Sequence, residues 1–535
     1  MLKYQVTNAD NDTRSISIAR FGKLFSDTAL NDHIYLDDIW WGLIDDPTQA
    51  ERFLDFEDIP PEGITLDQPG FVDVTADVRS DPPPSFEWGK TDHDPLGRLA
   101  GSGSGSFKLD NSAFNARKTQ AWYTPEHPDA WPGFGRNSQA RMRVTYQGKR
   151  YYFGLGDIVS LAPAPGEYGE RSVAVRVEGV MRRFSEFTRA NLNALAVGKT
   201  AGELYQILAD GLRRRPPTEF ANETVLAYGF DTATRKKATA TSELQKIAAT
   251  VLDYILVKSG PHGALIFNQS LEDRIADTEV KFNFTRVTGL DPRWSSADAV
   301  DRVVATFYPR KVSTELETLW SVSRPIEVPP GETVVITANY VDPDSTSVRI
   351  AGMDVITLPD SGDYTFGSTD DGESDDMHGN LTVIVRPGAT SAEVPFHNSD
   401  STNPGFVNSF PIKGFGVRFF EPASIEKGVD SPVNDSEMTL EMPYEDQEAN
   451  ARARLELIFP VLNRTRLQVG WFSFNANFDE DHLLAALELE PGDRIHLSES
   501  LSVDADFFIN GKRLKQVGRR LLECTLFPEV APEVE

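Results

Sequence analysis

Carboxylates, histidines and one cysteine are the side chains of this sequence with the capacity for catalysis or metal binding. The short patterns that place such groups for known reactions are absent: there is no His-Glu-x-x-His, no Gly-x-Ser-x-Gly and no Walker phosphate loop. The histidines show no short metal-ligand spacing. They are His33, His93, His127, His262, His378, His397, His482 and His496. The sequence therefore predicts no enzyme, no catalytic residue, no metal site and no cofactor.

Paired carboxylates are the catalytic arrangement that the sequence leaves open. A glycosidase needs two carboxyl groups, and the 81 Asp and Glu residues offer many such pairs. No acid is singled out by an apolar setting that would raise its pKa for acid catalysis. A polysaccharide hydrolase is therefore the least favoured functional class.

The acidic loop from Asp370 to Asp376 carries oxygen ligands suited to a hard cation. Its spacing does not match an EF-hand. A solvated loop is the favoured interpretation, and a calcium site is the alternative.

Two reactive side chains are interpreted as structural. Cys524 lies on the apolar face of the alternating run 522–526, which is typical of a small buried residue. His262 lies in the turn 260–263. Because the chain has one cysteine, it cannot form an internal disulfide.

The charge of the chain is acidic and unevenly distributed. The formal net charge is −28 and the pI is about 4.7. Residues 27–78 carry 14 acidic side chains against Arg52, and residues 321–410 carry 14 against three arginines. These two segments hold −24 of the net charge. This balance argues against nucleic acid or an anionic membrane as a partner of most of the surface.

The N-terminal residues lack the basic segment and apolar core of a signal peptide. No apolar run approaches the length of a membrane span. We expect a protein made in a cytoplasm, without a membrane span, and exported only as part of an assembly.

The stretch 101–160 has the pattern of an antiparallel sheet. It opens with a flexible Gly/Ser run at 101–106, after which Phe107 and Leu109 alternate with polar neighbours. Gln147-Gly148 predicts a tight turn between two strands. The later predicted strands are 142–146, the one starting at Tyr151, and 173–180. Together they predict a sheet that closes into a small barrel.

Residues 199–275 change to a helical pattern and predict a small α+β module. Thr200 and Glu203 form a capping box, and a helix follows to about residue 212. A second helix is predicted over 242–257, followed by a strand at 264–267.

Short strands at regular spacing, with turn signals between them, predict an Ig-like β-sandwich inserted at 322–418. The strands are predicted at 334–340, 348–350, 381–385 and 394–398. A helix including residues 449–458 follows and is predicted to end at Pro460. The last predicted strands lie at 494–497, 507–511 and 521–526.

Residues 27–70 combine acidic residues with aromatic ones. The aromatic residues are Tyr35, Trp40, Trp41, Phe53 and Phe56. The favoured interpretation is a long loop that its aromatic side chains fix to the barrel. The alternative is an interaction surface centred on 37–41.

The ordered set of motifs resembles the baseplate-hub or tail-hub proteins of long-tailed phages, also called minor tail proteins. The motifs are Leu109-Asp110-Asn111, Arg141-Met142-Arg143, Glu178-Gly179, Gly492-Asp493-Arg494 and Phe507-Phe508-Ile509-Asn510-Gly511. The usual pattern continues Leu-Asp-Asn into Asp-Gly-Arg, whereas this chain continues into Ser112-Ala113-Phe114. The resemblance covers about 70–535, loosely in the middle.

This resemblance implies a mainly β protein with a small α+β module, two tube-like β-barrel domains and an inserted Ig-like β-sandwich. The implied division is an acidic N-terminal segment, two barrels, the module and the insertion. Their ranges are 1–70 for the segment, 71–198 for the first barrel, 199–275 for the module, 276–321 with 419–535 for the second barrel, and 322–418 for the insertion.

The resemblance also implies a structural role at the tip of the phage tail, after assembly in the host cytoplasm. Three chains would form a pseudo-six-fold ring that continues the tail tube. The implied partners are a distal tail protein, a tape measure protein and tail fibres or receptor-binding proteins. Genomic DNA would pass through the lumen without specific binding.

Two questions stay open at this stage. The acidity suits a DNA conduit, because a negative wall repels phosphate, but it also suits a protein adapted to salty surroundings. The second functional hypothesis is a carbohydrate-binding receptor or adhesin of the tail tip, with 35–56 and the sandwich as binding faces. An adhesin predicts a soluble monomer, and a hub predicts barrel edges that pair between chains.

Overall fold

The computed structural model describes residues 71–532 with short gaps, and the backbone of three strands nearer the N-terminus. The gaps are 93, 95, 167–169, 188–194, 231–238, 296–298, 358–362, 372–375, 431, 433–435, 464–465, 500–502 and 519. The fold is mainly β, as predicted, with 47% of residues in strands and 15% in helices.

The N-terminal part of the chain is built from ten strands. They are β1 (Leu2–Thr7), β2 (Thr13–Ile18), β3 (Asp38–Ile44), β4 (Phe71–Asp73), β5 (Val78–Arg79), β6 (Ser85–Gly89), β7 (Ser104–Asp110), β8 (Gln139–Tyr146), β9 (Lys149–Ala164) and β10 (Ser172–Gly179). Gln147 and Gly148 form the predicted turn between β8 and β9. Both have positive φ, at 48° and 81°, which is the requirement of a type I′ hairpin turn.

The Gly/Ser run is partly a strand and not a flexible opening. β7 begins at Ser104, because β6 and β10 pair with it from both sides and satisfy its backbone. Glycine is needed at position 105, where a side chain would overlap the ring of Phe86. As predicted, Phe107 and Leu109 are buried.

The middle of the chain forms the α+β module. Its elements are α1 (Arg182–Glu186), β11 (Ala196–Thr200), α2 (Ala201–Asp210), β12 (Thr218–Glu219), β13 (Val225–Gly229), α3 (Ala240–Val251), β14 (Asp253–Lys258), β15 (Leu265–Ser270) and α4 (Leu271–Ala276). The predicted capping box is confirmed. The Thr200 hydroxyl accepts from the Glu203 N–H at 3.1 Å, and the Glu203 carboxylate accepts from the Thr200 N–H at 2.9 Å.

The prediction of one helix over 242–257 is wrong at its C-terminal end. The helix α3 stops at Val251, because Leu252 adopts a left-handed conformation with φ of 58°. The next five residues, 253–257, are all buried and form most of β14, which pairs with β15. A continuous buried run fits a strand that is covered on both faces, and an amphipathic helix would expose part of it.

The part of the chain after the module continues with sixteen strands, which include the strands of the insertion. They are β16 (Phe282–Phe284), β17 (Gly289–Ser295), β18 (Arg302–Phe307), β19 (Arg310–Val312), β20 (Glu317–Ser321), β21 (Ile326–Val328), β22 (Thr333–Asn339), β23 (Val341–Asp342), β24 (Ser345–Arg349), β25 (Ala351–Met353), β26 (Thr365–Gly367), β27 (Leu381–Val383), β28 (Arg386–Pro387), β29 (Ser391–Asn398), β30 (Gly405–Ser409) and β31 (Pro411–Phe419). The strands β20 to β31 surround a hydrophobic core of their own, which includes Leu319, Phe396 and Ile412.

The chain ends with six strands and two helices. They are β32 (Ala423–Gly428), β33 (Glu437–Met442), α5 (Glu448–Leu462), β34 (Arg466–Asn475), α6 (Glu480–Glu488), β35 (Arg494–Glu499), β36 (Val503–Gln516) and β37 (Leu522–Val530). The predicted stop at Pro460 is wrong, since α5 continues to Leu462 with Pro460 inside its last turn.

The strands that the sequence places in the second barrel are divided among three sheets, since β19 and β20 pair with β31 at the insertion. The strands β16, β17 and β34–β37 belong to the largest sheet, which the described residues show as an open row from β17 to β4. The strands β18, β32 and β33 form a separate sheet under α5, with its own core of Val303, Leu440 and Leu455. The apolar face of α5 covers one face of this small sheet, so its strands bury their apolar side chains without joining the large sheet.

We predict that the insertion folds alone when β19 and β20 are kept with it. A fragment 310–419 contains Leu319, which is fully buried in the insertion core, and Glu317, which pairs with Arg418 at 3.0 Å. A fragment 322–418 lacks both and should be less stable by about 2–5 kcal/mol, the usual cost of removing a buried leucine. Urea unfolding followed by circular dichroism measures the difference. Equal stability of the two fragments would contradict the prediction.

Candidate assembly seam between two repeated units

The largest sheet contains the same four-strand arrangement twice. In the N-terminal unit the strands lie in the order β7, β10, β9, β8, and in the C-terminal unit in the order β34, β37, β36, β35. All of these neighbours are antiparallel. Chain order and strand order therefore correspond one to one, with β7 matching β34 and β9 matching β36.

A β-bulge occurs at the same place in both units. On β9, Val159 is the extra residue between Ile158 and Ser160, where the register with β10 shifts. On β36, Asn510 is the extra residue between Ile509 and Gly511, where the register with β37 shifts. Bulges bend a strand locally and fix its register. The shared bulge sets a residue-level correspondence in which Ala162 matches Arg513.

The two units are joined inside the chain by β6, and we call the pairing of β6 with β36 the seam. β6 pairs with β7 on one side and with residues 511–515 of β36 on the other. Gly89 lies opposite Gly511. A side chain on Gly89 would overlap the Asn510 carbonyl, and one on Gly511 would overlap the Lys90 carbonyl. Two glycines are therefore required for the backbones to approach.

Charged side chains fasten both faces of the seam. The Arg513 guanidinium donates to the Glu87 carboxylate across the strands, with Nε at 2.7 Å from Oε2. On the other face, the fully buried Lys512 ammonium donates to the Leu489 carbonyl at 2.6 Å. It lies 5.7 Å from the Trp88 ring and 5.3 Å from the Phe153 ring, so one cation contacts both units.

A buried arginine connects the module to the C-terminal unit. Arg274 packs over the ring of Tyr254 at 3.6 Å and donates to the Asn510 side-chain oxygen at 2.8 Å and to Glu529 at 3.2 Å. Glu529 also accepts from the Tyr254 hydroxyl at 3.0 Å. Burial raises the cost of each charge, and this mutual pairing offsets it. The bulged Asn510 is thus held by the module as well as by its own sheet.

The Leu-Asp-Asn motif organises the loop after β7. The Asn111 side chain accepts from the Tyr123 N–H at 2.8 Å and donates to the Thr124 hydroxyl at 2.7 Å. The Tyr123 hydroxyl donates to Asp77 at 2.6 Å, and burial raises the pKa of that carboxyl. The motif therefore has a structural use here, which is to fold the long connection onto the sheet.

Asp253 is a fully buried carboxyl at the start of β14. It accepts from Asn222 at 2.7 Å, from Asn268 at 3.1 Å and from the Tyr205 hydroxyl at 3.1 Å. Burial outweighs these hydrogen bonds and raises the pKa of Asp253 to about 7. All three partners lie in the α+β module, so the group is a structural anchor of that module.

Cys524 and His262, which the sequence interprets as structural, are both among the described residues. Cys524 is buried in β37, as predicted, and burial raises the pKa of its thiol to about 12. His262 lies in its predicted turn. In the described ranges, no three His, Cys, Asp or Glu side chains are grouped to hold a metal ion, and no helix is long and apolar enough to cross a membrane.

Two predicted features lie largely outside the described residues. The structure gives no account of residues 372–375 of the acidic loop, or of the side chains of the aromatic segment 35–56. The prediction that 27–70 is a long loop is wrong for residues 38–44, whose backbone forms β3 and pairs with β8. The sequence singled out Asn510 and Gly511 within the 507–511 motif, but not the other residues of the seam and of the Arg274 cluster. Their partners are up to 426 positions apart in the chain, and no local pattern connects them.

We predict that Gly89→Ala destabilises the protein by about 3 kcal/mol, because it combines an unfavourable φ of 88° with an overlap in the seam. The control is Gly135→Ala, where a side chain meets open space and the cost should stay within about 0.5 kcal/mol. Chemical denaturation of both variants measures the two free energies. Similar losses of unfolding free energy in the two variants would contradict the prediction, because they would show that β6 and β36 can move apart at little cost.

We predict that Asp253 makes the free energy of unfolding fall as pH rises from about 4 to about 7. The folded protein binds a proton at Asp253 that the unfolded chain has released, so the loss is up to about 1.4 kcal/mol per pH unit. Asp253→Asn should remove this part of the slope. The exposed control Asp344→Asn should keep it. Urea titrations at several pH values give the comparison, and parallel curves for wild type and Asp253→Asn would contradict the assignment.

Comparisons with protein-family models and with curated proteins find no match. Solved structures similar to the chain include the tail protein from Neisseria meningitidis MC58, with 10% identity, a TM-score of 0.41 and coverage of 83% of this chain and 91% of that one. The prophage MuSo2 43 kDa tail protein from Shewanella oneidensis has 8% identity, a TM-score of 0.42 and coverage of 84% and 96%. The prophage tail protein gp18 from Listeria monocytogenes EGD-e has 11% identity, a TM-score of 0.40 and coverage of 87% and 93%. Each of these three structures is of a tail protein.

Proposed function

We propose that the chain is a structural protein of a phage tail and forms the hub at the distal end of the tail tube. The observation that carries this proposal is the repeated four-strand unit, joined edge to edge with its copy in one sheet. A chain that already places two equivalent units side by side is suited to continue the same arrangement with further copies. Head-to-tail contacts of this kind generate a ring when the rotation closes.

Three chains would then supply six equivalent units around one axis. The motifs that resemble tail-hub proteins lie in these units, with Leu109-Asp110-Asn111 at the end of β7 and Gly492-Asp493-Arg494 at the start of β35. In this proposal each unit is one tube-like barrel segment, and the ring continues the tail tube. The distal tail protein, the tape measure protein and tail fibres are the proposed neighbours in the virion.

The face of the sheet that turns away from the core suits passage of DNA without binding. Successive side chains of a strand point to opposite faces of the sheet. Glu87 and Arg513 therefore lie on one face, and the buried Phe86 and Leu514 lie on the other. Arg513 is neutralised by Glu87, and Arg176 lies 3.5 Å from Glu178. Paired cations attract phosphate less than unpaired ones, because their field is cancelled nearby. We propose that this face lines the lumen.

The insertion is the proposed attachment point for fibres or for carbohydrate. It has its own core, and residues 321–410 carry a charge of −11. Its surface exposes Val335 on β22 and Ile384 directly after β27, at 56% and 48% of their full accessible surface. A unit with its own core projects from the large sheet without interrupting it, which suits a binding role on the outside of a ring.

We predict that the purified protein forms a particle of three times the 59.3 kDa chain mass, with an axial opening. Light scattering gives the mass, and single-particle imaging gives the opening and the symmetry. A monomer at all concentrations would contradict the ring. A monomer that also bound host glycans would favour the adhesin instead.

A further inference from the structure

The two repeated units differ in the strand that covers one edge. In the C-terminal unit, the first part of β36 pairs with β35 and its last part, 511–515, pairs with β6. In the N-terminal unit, the first part of β9 pairs with β8 over 149–157. The matching last part, 160–164, pairs with β10, and no strand of the described residues covers its other side.

The C-terminal unit carries a strand that matches β6. β6 is the outer neighbour of β7, and β17 is the outer neighbour of β34, the strand that corresponds to β7. β6 pairs on its other side with β36. For β17, the described part of the chain shows no strand on that other side. Among the described residues, one unit therefore has a strand edge that no other strand covers, and the other has an outer strand that is paired with one neighbouring strand.

We infer that β17 of one chain pairs with residues 160–164 of a second copy, repeating between chains the seam that β6 and β36 form within the chain. We assign a second copy of this chain to the edge because β17 corresponds to β6. The chain already pairs β6 with residues 511–515, which correspond to 160–164. The inference rests on the proposed ring and specifies its contact.

The shared bulge gives the register of this contact. Arg513 corresponds to Ala162, since both lie opposite matching positions of the following strand. Glu87 corresponds to Pro292, because Glu87 is opposite Ser104 on β7 and Pro292 is opposite Val469, the matching position on β34. The Glu87 and Arg513 side chains touch across the seam. Side chains at Pro292 and Ala162 of neighbouring copies should touch in the same way.

The residues at both edges suit a contact that forms between copies but resists uncontrolled pairing. Ser160, Ala162, Pro163 and Ala164 are small and exposed, so a second backbone can approach. Pro163 and Pro292 have no N–H to donate, which is typical of edge strands that must not aggregate. The contact between copies consequently has fewer backbone donors than the seam within the chain, where β6 and residues 511–515 contain no proline.

A disulfide test uses the full chain with Ala162→Cys and Pro292→Cys. Oxidation should link most chains to their neighbours, with the products on a denaturing gel ending at the size of the closed ring, because opposed residues of adjacent strands lie within disulfide reach. The matched control is Ala162→Cys with Arg293→Cys, which moves the second cysteine by one residue in the pairing register of β17. It should give at least tenfold less linkage, as should each single cysteine variant with the buried Cys524 as background.

Light scattering of the same samples under reducing conditions separates the two proposals. A ring whose cysteines link no better than the control would overturn the β17 contact and leave the ring intact. A monomer that does not link would overturn both. A disulfide formed within single chains would also overturn the contact, since it would place both edges in one molecule.

Discussion

The pairing of β6 with β36 is the constraint on which the rest of the structure depends. It joins residues as far apart as Glu87 and Arg513, and it turns two separate four-strand units into one sheet. Closing so long a loop costs entropy before any contact compensates for it. The glycine pair, the buried Lys512 and the Arg274 cluster offset that cost at one place, where the units meet the module.

Charge is buried where the two units and the module meet, as at Lys512 and Arg274. Lys512, Arg274 and Glu529 each lose water, and each regains hydrogen bonds from a different segment of the chain. Such groups favour one relative position of the segments that they join. If a partner is displaced, a buried charge is left without a compensating hydrogen bond or opposite charge. Their contribution is therefore to the precision of the junction more than to total stability.

The sequence predicted what local patterns determine. The alternation of Phe107 and Leu109, the turn at Gln147-Gly148 and the capping box at Thr200 all appear as expected. It failed where tertiary context decides, as at Leu252, whose left-handed conformation ends a helix inside an apolar run that continues as a strand. The seam could not be predicted, because two short strands carry no signal of which distant edge they pair with, and the two units share an arrangement without sharing a recognisable sequence.

The separation of 426 positions between Glu87 on β6 and Arg513 on β36 has a consequence for biosynthesis. While the ribosome is still translating, β6 is already exposed on the N-terminal unit, but its partner has not yet emerged. The sheet is completed when the final strands leave the ribosome, so folding of the large sheet is necessarily late and dominated by long-range contacts. A chain that lacks β36 leaves the second edge of β6 without the partner that it has in the complete sheet.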